Sequence, residues 1–222
     1  MEVFVDWVFV WDILPLLARA ALVTIEATLL GFGLAASLGL LLAMGRMSHQ
    51  PWIAWPIAGF VEFIRSTPLI VQLFFMFFVL PKFGIVMPAF LTGVLGLGLH
   101  YSSYCAEVYR AGLENVPRGQ WEAALALNLS LPRTYWDIVI PQAIPPVVPA
   151  LGNYLVSLFK ETPLLSAIAV LELMQTAKIV GSEYFRYLEP ITLVGLIFLG
   201  FSLLAAAAIR RVEHWLTTRR GS

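Results

Sequence analysis

Five long stretches without a single Asp, Glu, Lys or Arg constrain this chain more than any other feature: 27–45, 66–81, 83–106, 138–159 and 190–209. Each approaches or exceeds the roughly 17 to 25 residues with which a helix crosses a bilayer. In hydrocarbon every backbone N–H and C=O needs a partner within the protein, so only helices and closed barrels span, and these runs are too long for barrel strands. The expected fold is an all-α membrane protein of one domain, 1–222, with about five transmembrane helices at about 18–45, 58–80, 86–108, 146–166 and 189–210. Composition agrees, since 59% of residues are hydrophobic and 13% charged.

Net charge is zero, but the cations are unevenly placed. Arg46 and His49 follow the first stretch, Arg110, Arg118 and Arg133 the third, and Arg210, Arg211, Arg219 and Arg220 the fifth. The positive-inside rule then puts the N-terminus outside, the C-terminus in the cytoplasm and the segment 115–141 on the cytoplasmic side. With Trp215 nearby, the C-terminal cations read as an anchor at lipid headgroups rather than a nucleic-acid site. Glu2, Asp6 and Asp12 stand where a signal peptide would be basic, so none is expected. The lone Cys105 cannot form an intrachain disulfide.

Segment 115–141 reads as a hairpin of two short helices. Asn115 can cap the first and Pro117 suits its opening turn. Asn128 accepts the left-handed conformation that ends it. Ser130 and Pro132 start the second helix, and Pro141 stops it. At the centre stand Glu122, Ala123 and Ala124, whose small side chains allow close approach by another surface.

Polar residues inside the apolar stretches are the candidates for function. Glu26 either faces the protein interior or sits shallow near the outer interface. Arg65, Ser66, Thr67 and Pro68 open the second span; Pro68 predicts a kink, with Gln72 one turn beyond it on a similar face. That stripe fits a pathway lining or plain interhelical hydrogen bonding. His100 fits a hydrogen-bonded core histidine better than a metal ligand, because His49, His100 and His214 are scattered. Pro141, Pro145, Pro146 and Pro149 predict that the fourth spanning helix begins near Pro146 and runs to about Ser166, which carries Lys160 and Glu161 into the membrane slab. They would line a polar cavity or lie at the outer interface. The acidic, aromatic start, with Trp7 and Trp11 one turn apart, suits an amphipathic segment on the outer surface. The charged stretch from Glu172 to Glu189 would present a docking surface or cap the bundle. No phosphate loop, metal spacing or nucleophile–base pair appears, so no enzyme activity or cofactor is expected in this chain.

Several blocks, in order, resemble the polar amino acid permeases of binding-protein-dependent ABC importers. Glu122-Ala123-Ala124 with Ile138-Val139-Ile140-Pro141 resembles their cytoplasmic signature, flanked by Gly119-Gln120 and Pro141-Gln142-Ala143. Arg65-Ser66-Thr67-Pro68-Leu69, Val71-Gln72-Leu73-Phe74-Phe75, then Tyr104, Ala106-Glu107 and Arg110, then Asn153 with Lys160-Glu161-Thr162, are similar to the second, third and fourth spans. Asn128 stands where the family usually has glycine, and both accept a left-handed turn.

The resemblance implies a permease subunit of a bacterial-type inner membrane. It would pair with a second, identical or similar permease, two ATP-binding subunits carrying ATP and Mg, and an external solute-binding protein. Gly119, Gln120, Glu122, Ala123, Ala124 and Asn128 would form the ATPase-coupling hairpin, and Glu26, Arg65, Thr67, Gln72, Lys160 and Glu161 the solute pathway or gate. Both signs of charge in a pathway suit a zwitterion, such as a polar amino acid or an osmolyte of the ectoine type. An ion-coupled secondary carrier, motivated by Glu26, His100, Lys160 and Glu161, and a non-transporting structural subunit are the competing readings.

Overall fold

The computed structural model describes residues 5–218; Glu2, Arg219 and Arg220 lie outside them. No strand occurs among these residues. Helix α1 (Trp7–Arg46) opens at Asp6, whose side chain accepts from the amides of Val8 and Phe9 at 3.0 and 3.2 Å. The segment bearing Trp7 and Trp11 is thus the continuous start of α1 rather than a separate surface helix, Pro15 being accommodated inside it. At about 1.5 Å per residue, these 40 residues reach well beyond one bilayer thickness. Helix α2 (Pro51–Ser66) is followed at a 102° bend by α3 (Leu69–Phe74), which continues through a π turn (Phe75–Val79) to a 3₁₀ turn (Leu80–Phe83).

Helix α4 (Ala89–Glu114) lies parallel to α1 in the centre of the molecule. Close approach is what Gly39 provides, because a Cβ there would meet Cys105 Cβ at 2.6 Å. Leu97, Tyr101 and Cys105 of α4 form the main core with Ala27 and Ala35 of α1, and with Leu158 and Leu165 from farther along the chain.

The short α5 (Arg118–Ala126) leads to α6 (Leu131–Arg133), a π turn (Thr134–Val139), α7 (Ile140–Glu161) and a 3₁₀ turn (Thr162–Ile168). From Leu131 to Ile168 this is one helical rod of 38 residues. Two expectations are therefore corrected: Pro141 does not stop a helix, and the spanning helix does not wait for Pro146. In the π turn Ile140 N–H donates to Tyr135 O, a reach of five residues, and this delivers Pro141 to the first turn of α7, where a missing N–H is not needed. Pro145, Pro146 and Pro149 then lie inside the helix, which holds through packing on both sides, Val147 against Gly112 of α4 and Gly152 against Ile209.

Helix α8 (Leu173–Glu183) packs on the first half of α1, where Leu173, Ala177 and Val180 meet Ile13, Leu17 and Ala20. Its amides are capped by the Glu172 carboxylate. Helix α9 (Leu188–Thr218) follows after a turn in which Phe185 is left-handed, φ 52°. Arg186 in that turn pairs with Asp6 and Glu189 and stacks over Phe9 at 4.8 Å, clasping the start of α1 to the α8–α9 corner. The segment 172–189 packs against both α1 and α9. By length and composition α1, the 131–168 rod and α9 can each cross a membrane, and α2 with α3 adds a fourth crossing if the bent pair is one span.

Candidate functional site: a polar cavity and an exposed hairpin

Pro68 has no N–H and disfavours helical backbone at Thr67, which is extended at φ −109°, ψ 136°. The resulting break frees carbonyls that need donors. Gln72 supplies them: Nε2 donates to Ile64 O at 2.8 Å, Thr67 Oγ1 at 2.7 Å and Thr67 O at 3.2 Å. Its Oε1 lies 3.2 Å from His100 Nδ1 on α4. Because Oε1 only accepts, this contact assigns a proton to Nδ1, and in the neutral ring Nε2 is then an acceptor. The predicted kink is present, Gln72 meets Thr67 across it, and His100 is hydrogen-bonded and 7% exposed.

Beside the break, Arg65, Ser66, Thr67, His100, Tyr104 and Glu161 line an open cavity of about 420 Å³. The Arg65 guanidinium sits 5.3 Å above the Tyr104 ring, and Tyr104 packs on His100 and Tyr154 at 5.4 and 5.5 Å. Glu161 closes α7. Its Oε2 is buried without a hydrogen-bond partner, and its carboxylate faces the Tyr101 phenol. An orphaned carboxylate oxygen is costly in apolar surroundings unless a donor arrives, so the cavity is suited to a cation donor at one place and an anion at another.

Of the residues expected in a pathway, Arg65, Thr67, Gln72 and Glu161 come together here. Lys160 is exposed on a different face of α7, as adjacent helix positions differ by about 100°, and Glu26 is exposed halfway along α1. Tyr104 and the cavity-lining role of His100 escaped sequence reading. Their four-residue spacing, which stacks both rings on one face of α4, was the available signal. Among the described residues no three His, Cys, Asp or Glu side chains converge to hold a metal.

One turn along α4, Glu107 gathers cations. It contacts Arg46 at the end of α1, pairs with Arg110 at 2.8 Å, and lies 4.0 Å from Arg65. Arg110 also pairs with Glu114 at 2.6 Å.

The hairpin occupies the end of the bundle that carries Arg46. Asn115 closes α4 instead of capping α5, which opens at Pro117 without a side-chain cap. Asn128 takes the left-handed conformation, φ 53°, and Leu129 N–H returns to Ala124 O at 3.0 Å. Ala124 is 1% exposed within the hairpin, whereas Gly119, Gln120, Glu122 and Ala123 face outward. Trp121 meets Tyr135 edge-on at 5.3 Å, and Gln142 Nε2 donates to Gln120 Oε1 at 3.2 Å, fixing α5 to the rod. Leu125, Leu127, Leu131 and Trp136 remain at least 70% exposed, an apolar surface of the kind that marks a protein contact.

A membrane-spanning helical bundle with a helical hairpin at one end and a polar cavity within is the architecture of a transporter's membrane subunit. The family described as binding-protein-dependent transport system inner membrane component matches residues 35–218, and the chain belongs to it. It is 49% identical over 211 residues to a probable amino-acid ABC transporter permease protein of Sinorhizobium fredii, covering 95% of this chain and 91% of that one. It is 32% identical to the glutamine transport system permease protein GlnP of Escherichia coli, covering 94% and 96%, and 32% identical to the L-cystine transport system permease protein TcyB of Bacillus subtilis, covering 93% and 92%. The crystal structure of an amino acid ABC transporter with histidines superposes with a TM-score of 0.90 at 33% identity, covering 95% of this chain and 99% of that one. This is an ABC permease subunit, a multi-pass transport component whose ATPase is a separate subunit.

Proposed function

We propose that this chain imports a polar amino acid, or an amino-acid-like zwitterion such as ectoine, across a bacterial inner membrane by alternating access. The observation that carries the reading is the pairing, in one cavity, of the Arg65 guanidinium with the unsatisfied Glu161 Oε2: the first suits a solute carboxylate, the second its ammonium group. The names of the relatives, permeases for amino acids, glutamine and cystine, support the same class. Five spans, at about 18–45, 58–80, 86–108 and 189–210 with the fourth inside the 131–168 rod, would put the hairpin and Arg46 in the cytoplasm and the Asp6–Arg186 clasp outside. A second permease subunit, two ATP-binding subunits and an external solute-binding protein complete the machine. Glu122 and Ala123, with Gly119 and Gln120, face the ATPase, while Ala124 and Asn128 shape the turn.

Reconstitution with the ATPase and binding protein in proteoliposomes tests this, using labelled amino acids and ectoine. ATP-dependent uptake of at least one is expected, with loss of uptake in Glu122→Arg at unchanged insertion. Uptake driven by an ion gradient without the ATPase, or wild-type uptake by Glu122→Arg, overturns it.

A further inference from the structure

Arg65 stands between two negative groups. On one side it lines the cavity with Glu161 and lies over Tyr104; on the other it is 4.0 Å from Glu107 Oε1. That distance is the outer limit of an ion pair, whereas Arg46 contacts the same carboxylate oxygen directly and Arg110 pairs with its other oxygen at 2.8 Å. Glu107 therefore already has two closer cations, and its hold on Arg65 is weak enough for another anion to replace. The Arg65 side chain is 37% exposed, so a solute can reach it.

We propose that Glu107 is a positioning residue that sets the affinity of the cavity for carboxylate-bearing solutes by competing with the solute for Arg65. The inference rests on the reading that Arg65 receives the solute carboxylate. A solute carboxylate draws Arg65 from Glu107 into the cavity, and Glu107 then relies on Arg46 and Arg110 alone. The solute's apparent affinity is lowered by the fraction of time Arg65 spends with Glu107. The competition is selective, since a solute lacking the carboxylate never enters it.

Isothermal titration of the permease–ATPase complex in nanodiscs, without the binding protein, measures it with L-glutamine, L-arginine and their α-carboxamides. Glu107→Gln should tighten binding of the acids about three- to tenfold, which corresponds to Arg65 being free about a third to a tenth of the time in the parent protein, and should leave the amides unchanged. Arg46→Gln, which gives Glu107 back to Arg65, should act in the opposite direction and weaken the acids. This sign reversal between two members of one cluster is a result that simple misfolding does not produce. In the Arg65→Gln background the effect of Glu107→Gln should vanish, the non-additivity of a shared partner. Equal shifts for acids and amides, or additivity with Arg65→Gln, overturns the role of Glu107. Unchanged acid affinity in Arg65→Gln alone overturns instead the reading of the cavity on which it rests.

Discussion

Gln72 shows how much one side chain can hold. Its amide nitrogen reaches three acceptors at the α2–α3 break, which share its two hydrogens, and its oxygen meets His100. Gln72→Leu roughly keeps the volume but strips Thr67 O of that donor and leaves Ile64 O with only the Thr67 hydroxyl, at about 1–3 kcal/mol for a carbonyl left unsatisfied. The thermal midpoint of the purified subunit should fall, and solute affinity with it as the Arg65–Thr67 wall loosens. Ala124 makes the complementary point. The sequence shows two small residues in tandem and one motive for both, close seating of a partner. The fold separates them, Ala123 facing outward and Ala124 enclosed, its carbonyl taking the Leu129 N–H. Ala124→Leu should therefore overpack the hairpin by about 1–3 kcal/mol and increase its cleavage in limited proteolysis, with the rest of the bundle intact. Periodicity identifies a face only where a helix has one partner, and α5 lies between the rod and open surface.

At the level of whole elements, what can be read from sequence follows how local the physics is. The break at Pro68 and the left-handed turn at Asn128 each depend on one residue's backbone preferences, and both are present. Asn128→Val should open the turn, because a β-branched side chain resists positive φ at about 1–2 kcal/mol; increased proteolysis between α5 and α6 would report it. The 131–168 rod is the contrary case. Four prolines argue for a stop and a late restart if hydrogen bonds reach only four residues back, and a π turn changes that reach. Nothing in residues 134–139 announces a π turn, since it arises from how the whole segment is packed. The cavity was legible in part: Arg65, Thr67 and Glu161, with Gln72 behind Thr67, interrupt apolar runs, while His100 and Tyr104 sit in a stretch whose polarity packing alone explains.

Across the whole molecule, the Asp6–Arg186–Glu189 clasp joins the first described helix to the last. Arg186 holds the Asp6 carboxyl below the usual carboxylate range, helped by the amide of Phe9. A depressed carboxyl contributes stability above its unfolded value near about 3.9 and loses it as pH falls through the lower folded value. Amide protection at Val8, Phe9 and Val10 should thus be full at neutral pH and decline below about pH 4, a decline absent in Asp6→Asn, where protection is already reduced. The rod has a different consequence, one of angular phase. It runs unbroken from the hairpin to Glu161, so one residue inserted near Ala143 turns Glu161 by about 100° and shifts it about 1.5 Å, away from Arg65. Seven inserted residues restore the angle within about 20° but displace Glu161 by about 10 Å. Length changes here should abolish uptake at every small value, whereas the same insertions at exposed positions before α8 should be tolerated. Chains that share this transport mechanism are then expected to keep a constant residue count between the hairpin turn and the carboxylate, as strictly as they keep either end.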